Sequence, residues 1–204
     1  MNDPEPAKIT CYSDGEQRMM RRSQEQRGRW LRPLLLLLER LRVRPGHVTL
    51  VSLLLGVAFC PALIWGDELA AMTLLLLHVI SDGLDGPLAR HLGRASNRGS
   101  FTDTMADQVV VTFSTLTLIH VGLAALWPGV LYLFFYTMVV VFAFVRNALA
   151  IPYSWLVRPR FFVYLCIPVS IYLWRPSLDL LLWTVSALLA WKTLTGFIQI
   201  RRRI

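Results

Sequence analysis

The 204-residue sequence predicts an all-α integral membrane protein: six transmembrane helices preceded by an N-terminal interfacial amphipathic helix. Three observations carry this expectation. Hydrophobic residues make up 55% of the chain and charged residues only 17%, with a mean hydropathy of +0.50, too apolar for a soluble domain of this size. The apolar residues fall into six runs, most of them near the roughly 20 residues needed to cross a bilayer. The basic residues gather on one set of connections, which is how orientation is written into membrane proteins. The formal charge of +8, from 21 Lys and Arg against 13 Asp and Glu, is thereby assigned to anionic lipid and orientation, and no nucleic-acid partner is expected.

Residues 1–29 are polar, lack an apolar core and are expected to be flexible in isolation. No charged start followed at once by an uninterrupted apolar run marks a secretory signal. Residues 30–44 mix Leu34–Leu38 with Arg32, Arg40, Arg42 and Arg44, too short and too charged to span. They suit a basic helix lying in the interface, with Pro33 near its first turn and Pro45-Gly46 breaking it. The membrane domain then occupies 45–204, with apolar segments at about 48–65, 69–91, 103–126, 129–151, 161–174 and 178–199. The fifth is short. Very short connections near 66–68, 127–128 and 175–177 make neighbouring helices antiparallel.

Twenty of the 21 basic residues then fall on one side, and only Arg175 falls on the other, near Asp67 and Glu68. By the positive-inside rule both termini and the 92–102 loop face the cytoplasm. The compact length points to a bacterial cytoplasmic (inner) membrane. Cys11, Cys60 and Cys166 are odd in number and scattered, which excludes a disulfide framework or a zinc spacing.

The acids carry the most information. Beyond residue 69 there are only Asp82, Asp85, Asp103, Asp107 and Asp179, and the first four fall at the cytoplasmic ends of the second and third spans. Carboxylates are costly at a bilayer edge, and four together repel, so they need cations or protons to coexist. Asp82 and Asp85 are spaced i,i+3 and Asp103 and Asp107 i,i+4, so each pair shares a helix face and a hairpin presents all four to one cavity. Hard oxygen donors suit Mg²⁺, Mn²⁺ or Ca²⁺ rather than zinc. Two such ions would hold a diphosphate and stabilise charge on a leaving phosphate. Gly86 and Ala89 lie on or near the acidic face, where a missing side chain admits a flat ligand. Arg90 follows one turn after Gly86 and offers a planar fork to phosphate, and Gly99 is expected in the connecting loop.

The pattern Asp82-x2-Asp85-Gly86-x2-Ala89-Arg90-x8-Gly99-x3-Asp103-x3-Asp107 resembles the full defining motif of the CDP-alcohol phosphotransferases. The six-span layout extends the resemblance over about 30–204, while Pro45-Gly46-His47 departs from the Pro-Asn that members often carry before the first span. The resemblance implies a membrane-embedded transferase, usually a homodimer, that uses two divalent cations, chiefly Mg²⁺ with Mn²⁺ as the alternative. Such an enzyme cleaves a CDP-linked alcohol, here CDP-diacylglycerol, releases CMP and joins the phosphatidyl group to an acceptor hydroxyl in phospholipid synthesis. It further implies Asp82, Asp85 and Asp103 as metal ligands, and Asp107 as a ligand or near-ligand and the catalytic base. Gly86, Ala89 and Arg90 would line the cytidine and phosphate pocket, with Gly99 at its edge.

Arg146, Arg158 and Arg160 place three cations where a second substrate would enter, which favours a small phosphorylated acceptor: glycerol 3-phosphate first, then inositol phosphate, with serine and phosphatidylglycerol open. The bland readings are orientation charges for Arg158 and Arg160, snorkelling for Arg146, and a buried hydrogen-bonded histidine for His78. A different class, a divalent-cation transporter, would want a second acidic station along the spans; the acids all cluster at one face.

Overall fold

The computed structural model describes residues 30–149 and 158–203, all of them in helices and short connections; the expectation for residues 1–29 and the end of the fourth apolar segment at 151 lie outside these. The helices are α1 (30–40), α2 (Pro45–Ile64), α3 (Glu68–His91), α4 (Asn97–His120), α5 (Leu126–Ala148), α6 (Pro159–Tyr172) and α7 (Ser177–Arg201). Four of them, α2, α3, α5 and α7, are long and apolar enough to cross a membrane.

Local chemistry sets the ends. Asp67 caps α3 by accepting from the Ala70 N–H at 2.9 Å, and Ser96 caps α4 by accepting from Gly99 N–H at 3.1 Å. Arg42 adopts a positive φ of 56° and ends the α1 turn, so α2 starts directly at Pro45. The Pro45-Gly46 pair therefore opens a helix rather than merely separating two.

The largest departure from the sequence expectation is α4, which runs six residues earlier than 103–126. The Ser96 cap starts it, and Gly122, at φ 70°, ends it. The loop before it shrinks accordingly, and Gly99 sits in the first turn of α4 instead of in a loop. α4 is less apolar than its neighbours because its polar residues turn inward. Ser114, Thr115 and Thr117 are buried, while Val109, Phe113 and Leu116 face out. α6 is only 14 residues long, about 21 Å at 1.5 Å per residue.

α2 packs against α3 and α4, and α7 packs along α5 and α6. The main core joins Phe59, Leu75, Val110, Leu118, Ile167, Leu182 and Leu189. Large apolar side chains such as Leu54, Leu76, Phe113, Leu165 and Trp191 remain exposed on the outside, the surface that lipid covers in an integral membrane protein. A second cluster of Leu35, Val48 and Leu88 docks α1 onto the start of α2 and the acid-bearing end of α3. Glu39 Oε2 reinforces it by accepting a 2.9 Å hydrogen bond from His91 Nε2. At the opposite end Asp179, the fifth acid, accepts from the Ala125 N–H at 2.7 Å and closes the start of α5.

The α2–α3–α4 junction is tight at Gly56. A Cβ there would lie 2.6 and 2.7 Å from the Val110 methyls and 3.1 Å from His78 Nδ1. Gly56→Ala gains about 1 kcal/mol of helix propensity but overpacks rigid neighbours at a cost of about 1–3 kcal/mol. We expect a net loss of about 1 kcal/mol, read as a lower thermal unfolding midpoint in detergent.

Candidate active site

Asp82 and Asp85 are buried one turn apart near the end of α3. Pro87, inside the same helix, supplies no N–H to the carbonyl of Gly83, so the backbone ladder is interrupted at the acid pair. Asp103 and Asp107 sit half-buried in the early turns of α4. The α3–α4 hairpin brings carboxylate oxygens of Asp82, Asp103 and Asp107 within 4.8 Å of one another. Two unit charges at that distance repel by roughly 3.5 kcal/mol at an effective dielectric of about 20. Such a triad persists only against compensating positive charge.

Part of that charge comes from α6. Arg160, 2% exposed, donates from Nη2 to Asp82 Oδ2 at 2.7 Å and pairs through Nη1 with Asp107 Oδ2. The Arg160 Cζ stands 4.9 Å from the centre of the Phe161 ring. Arg158 reaches Asp82 more loosely, Nη1 to Oδ2 at 3.7 Å, with its side chain 59% exposed. Pro159 at the first position of α6 fixes this division of labour: the arginine before it stays at the rim, and the one after it turns inward.

Asp85 lies beside the triad. Its Oδ2 accepts a 2.9 Å hydrogen bond from the Thr49 hydroxyl on α2, and its Oδ1 accepts from the Gly86 N–H at 2.5 Å. Thr49 carries no signal in the sequence. It is one hydroxyl in an apolar run, and only the packing of α2 against α3 reveals its partner.

The remaining residues singled out by sequence divide into three places. Gly86 and Ala89 are half-buried on α3, and the exposed Arg90 folds back so that Nη1 would lie 3.4 Å from a Cβ on Gly86. Gly99 is exposed at the start of α4, its N–H engaged by Ser96. Arg146 is buried at the end of α5 and donates from Nη2 to Gln199 Oε1 on α7. His78, one turn before Asp82, is buried against α2. Its Nδ1 lies 2.9 Å from the Ser52 carbonyl oxygen, so Nδ1 carries the proton and donates it there.

Chemically, the triad offers only carboxylate oxygens, the donor set of Mg²⁺, Mn²⁺ or Ca²⁺, and its span is compatible with ligands converging on one ion. The residues present therefore fit a divalent cation. Beside them lies an open glycine face overlaid by a guanidinium, a surface suited to a phosphate-bearing ligand.

Known proteins share this fold and part of this sequence. The signature described as CDP-alcohol phosphatidyltransferase matches residues 42–198. A CDP-diacylglycerol–serine O-phosphatidyltransferase of Mycobacterium tuberculosis is 32% identical over 111 residues, which cover 53% of this chain and 39% of that one. An archaetidylinositol phosphate synthase of Aeropyrum pernix is 29% identical over 116 residues, covering 57% of this chain and 53% of the relative. The alignments thus span between about two fifths and half of these relatives' lengths. Among solved structures, phosphatidylinositol phosphate synthase of Mycobacterium tuberculosis with CDP-DAG bound superposes with a TM-score of 0.70 at 18% identity, over 82% of this chain and 92% of that one. With the signature spanning nearly all of the helical region and the acid hairpin within it, the chain belongs to the CDP-alcohol phosphatidyltransferase family.

Proposed function

We propose that the protein moves the phosphatidyl group of CDP-diacylglycerol onto an acceptor hydroxyl with release of CMP, and that it depends on divalent metal. The observation that carries this is the convergence of Asp82, Asp103 and Asp107 beside the Gly86–Arg90 face in a chain of this family. Asp82, Asp85, Asp103 and Asp107 would hold two cations, Mg²⁺ or Mn²⁺. Bound there, the cations would neutralise the diphosphate and take up charge on the departing phosphate. Asp107 accepts the acceptor's proton as its oxygen attacks the phosphatidyl phosphorus and the bond to the CMP phosphate breaks. A carboxylate near cations is a weak base, so proton removal accompanies attack rather than preceding it. CMP departs already anionic and needs no acid from the protein. Gly86, Ala89 and Arg90 line the nucleotide pocket, with Gly99 at its edge.

In this reading α4 and α6 cross the bilayer along with the four apolar helices, and their polar faces turn into the bundle. Residues 45–204 form the membrane catalytic domain, and α1 and its turn (30–44) lie in the interface. The basic bias supports a site and termini at the cytoplasmic face of a bacterial inner membrane, and membership of the family supports a homodimer.

For the acceptor, Arg158, exposed at the rim beside Asp82, supports a phosphorylated alcohol: glycerol 3-phosphate first, inositol phosphate second. Serine is the second reading, supported by the 32% identical relative named for it. Purified protein given CDP-diacylglycerol and Mg²⁺ with each acceptor separately tests this. Glycerol 3-phosphate or inositol phosphate is expected to stimulate CMP release and to appear in the lipid product. Stimulation by serine alone would contradict the phosphate reading.

A further inference from the structure

Thr49 lies one turn into α2, 36 residues before Asp85, and its hydroxyl has two oxygens in range. Asp85 Oδ2 is at 2.9 Å and the Pro45 carbonyl oxygen at 3.3 Å, so the shorter, charge-assisted bond to the carboxylate takes the proton. Thr49, Ser52 and Gly56 recur at i, i+3 and i+7 and form one face of α2. That face grips α3 at both sides of Asp82. Ser52 accepts the His78 Nδ1–H at 2.9 Å and returns its own hydroxyl to the His78 carbonyl oxygen at 3.2 Å, while Thr49 holds Asp85. Gly56 permits the approach that makes both bonds possible.

We propose that Thr49 is a positioning residue for Asp85. Its hydroxyl fixes Oδ2, and with Oδ1 on the Gly86 N–H it leaves the carboxylate one orientation beside the triad. Without that bond only the Gly86 N–H holds the Asp85 carboxylate, and the cation site loses a pre-set oxygen. Hydrogen bonds that orient a metal-binding side chain change metal affinity by about 10–100-fold. The inference rests on the metal-binding part of the proposed function and not on the identity of the acceptor.

The test is Mn²⁺ titration, followed by electron paramagnetic resonance, of the full-length wild type, Thr49→Val and Thr49→Ser, with thermal unfolding of each measured in chelator. Val keeps the shape of Thr and removes the hydroxyl, whereas Ser keeps the hydroxyl and removes the methyl. Thr49→Val is expected to raise the Mn²⁺ Kd about tenfold while unfolding in chelator at close to the wild-type temperature, and Thr49→Ser to stay within about twofold of wild type. Wild-type affinity in Thr49→Val, or equal weakening in both variants, would overturn the proposal. If the valine variant does not fold, Thr49→Ala is read by the same criterion. Wild-type protein that binds Mn²⁺ but releases no CMP would sink the proposed reaction and leave this test intact. Wild-type protein that binds no Mn²⁺ would remove the metal site and Thr49's role together.

Discussion

Asp107→Asn is expected to lower acceptor-stimulated CMP release by about 10²–10⁴-fold while leaving a folded protein. The amide keeps the size of the side chain but cannot take a proton from the attacking hydroxyl. It also offers a cation a weaker oxygen. Asp107 stands where both effects meet: on α4, within 4.8 Å of the Asp82 and Asp103 oxygens and in contact with Arg160. The comparison that isolates the base is Asp107→Asn against Asp103→Asn at saturating Mn²⁺. If Asp107 serves only as a ligand, raising the metal concentration restores both variants alike; if it is the base, Asp103→Asn recovers activity and Asp107→Asn does not.

Arg160→Gln should have the largest effect on stability. The guanidinium is buried and shared between Asp82 and Asp107, so its loss leaves two carboxylates facing each other with only the looser, exposed Arg158 beside them. Breaking a buried ion pair from one side costs about 3–5 kcal/mol. In chelator the variant is therefore expected to unfold many degrees below wild type. A divalent cation supplies the missing charge, so millimolar Mg²⁺ should raise the unfolding temperature of Arg160→Gln by more than it raises that of wild type. Equal shifts in the two proteins would mean that the cation and the arginine do not share the same carboxylates.

Much of this site was legible in the sequence because charge in an apolar chain is conspicuous. Asp82, Asp85, Asp103 and Asp107 stood out by spacing alone, and helix geometry was enough to pair them. What remained hidden depended on packing across helices. The sequence grouped Arg146, Arg158 and Arg160 as three cations at the acceptor's entrance, yet the fold sends Arg160 into the acid triad, ties Arg146 to Gln199 and leaves Arg158 at the rim. Nothing local to those three residues distinguishes them except the proline between the last two. The start of α4 was misjudged because its first turn, Asn97–Ser100, is polar, and an apolar count begins only later; the decisive signal was the Ser96 cap. Asp85 was expected as an equal member of the four and instead sits beside the triad, held by a threonine that no pattern would single out.

The central claim, that carboxylates on α3 and α4 hold divalent metal to expel CMP, is tested most directly by CMP release from CDP-diacylglycerol in mixed micelles. Wild type and Asp82→Asn are compared in EDTA, and again after Mg²⁺ or Mn²⁺ is restored. The account predicts no release by wild type in EDTA, recovery with either ion, and little recovery in Asp82→Asn. Release that persists in EDTA, or that survives Asp82→Asn undiminished, would contradict it.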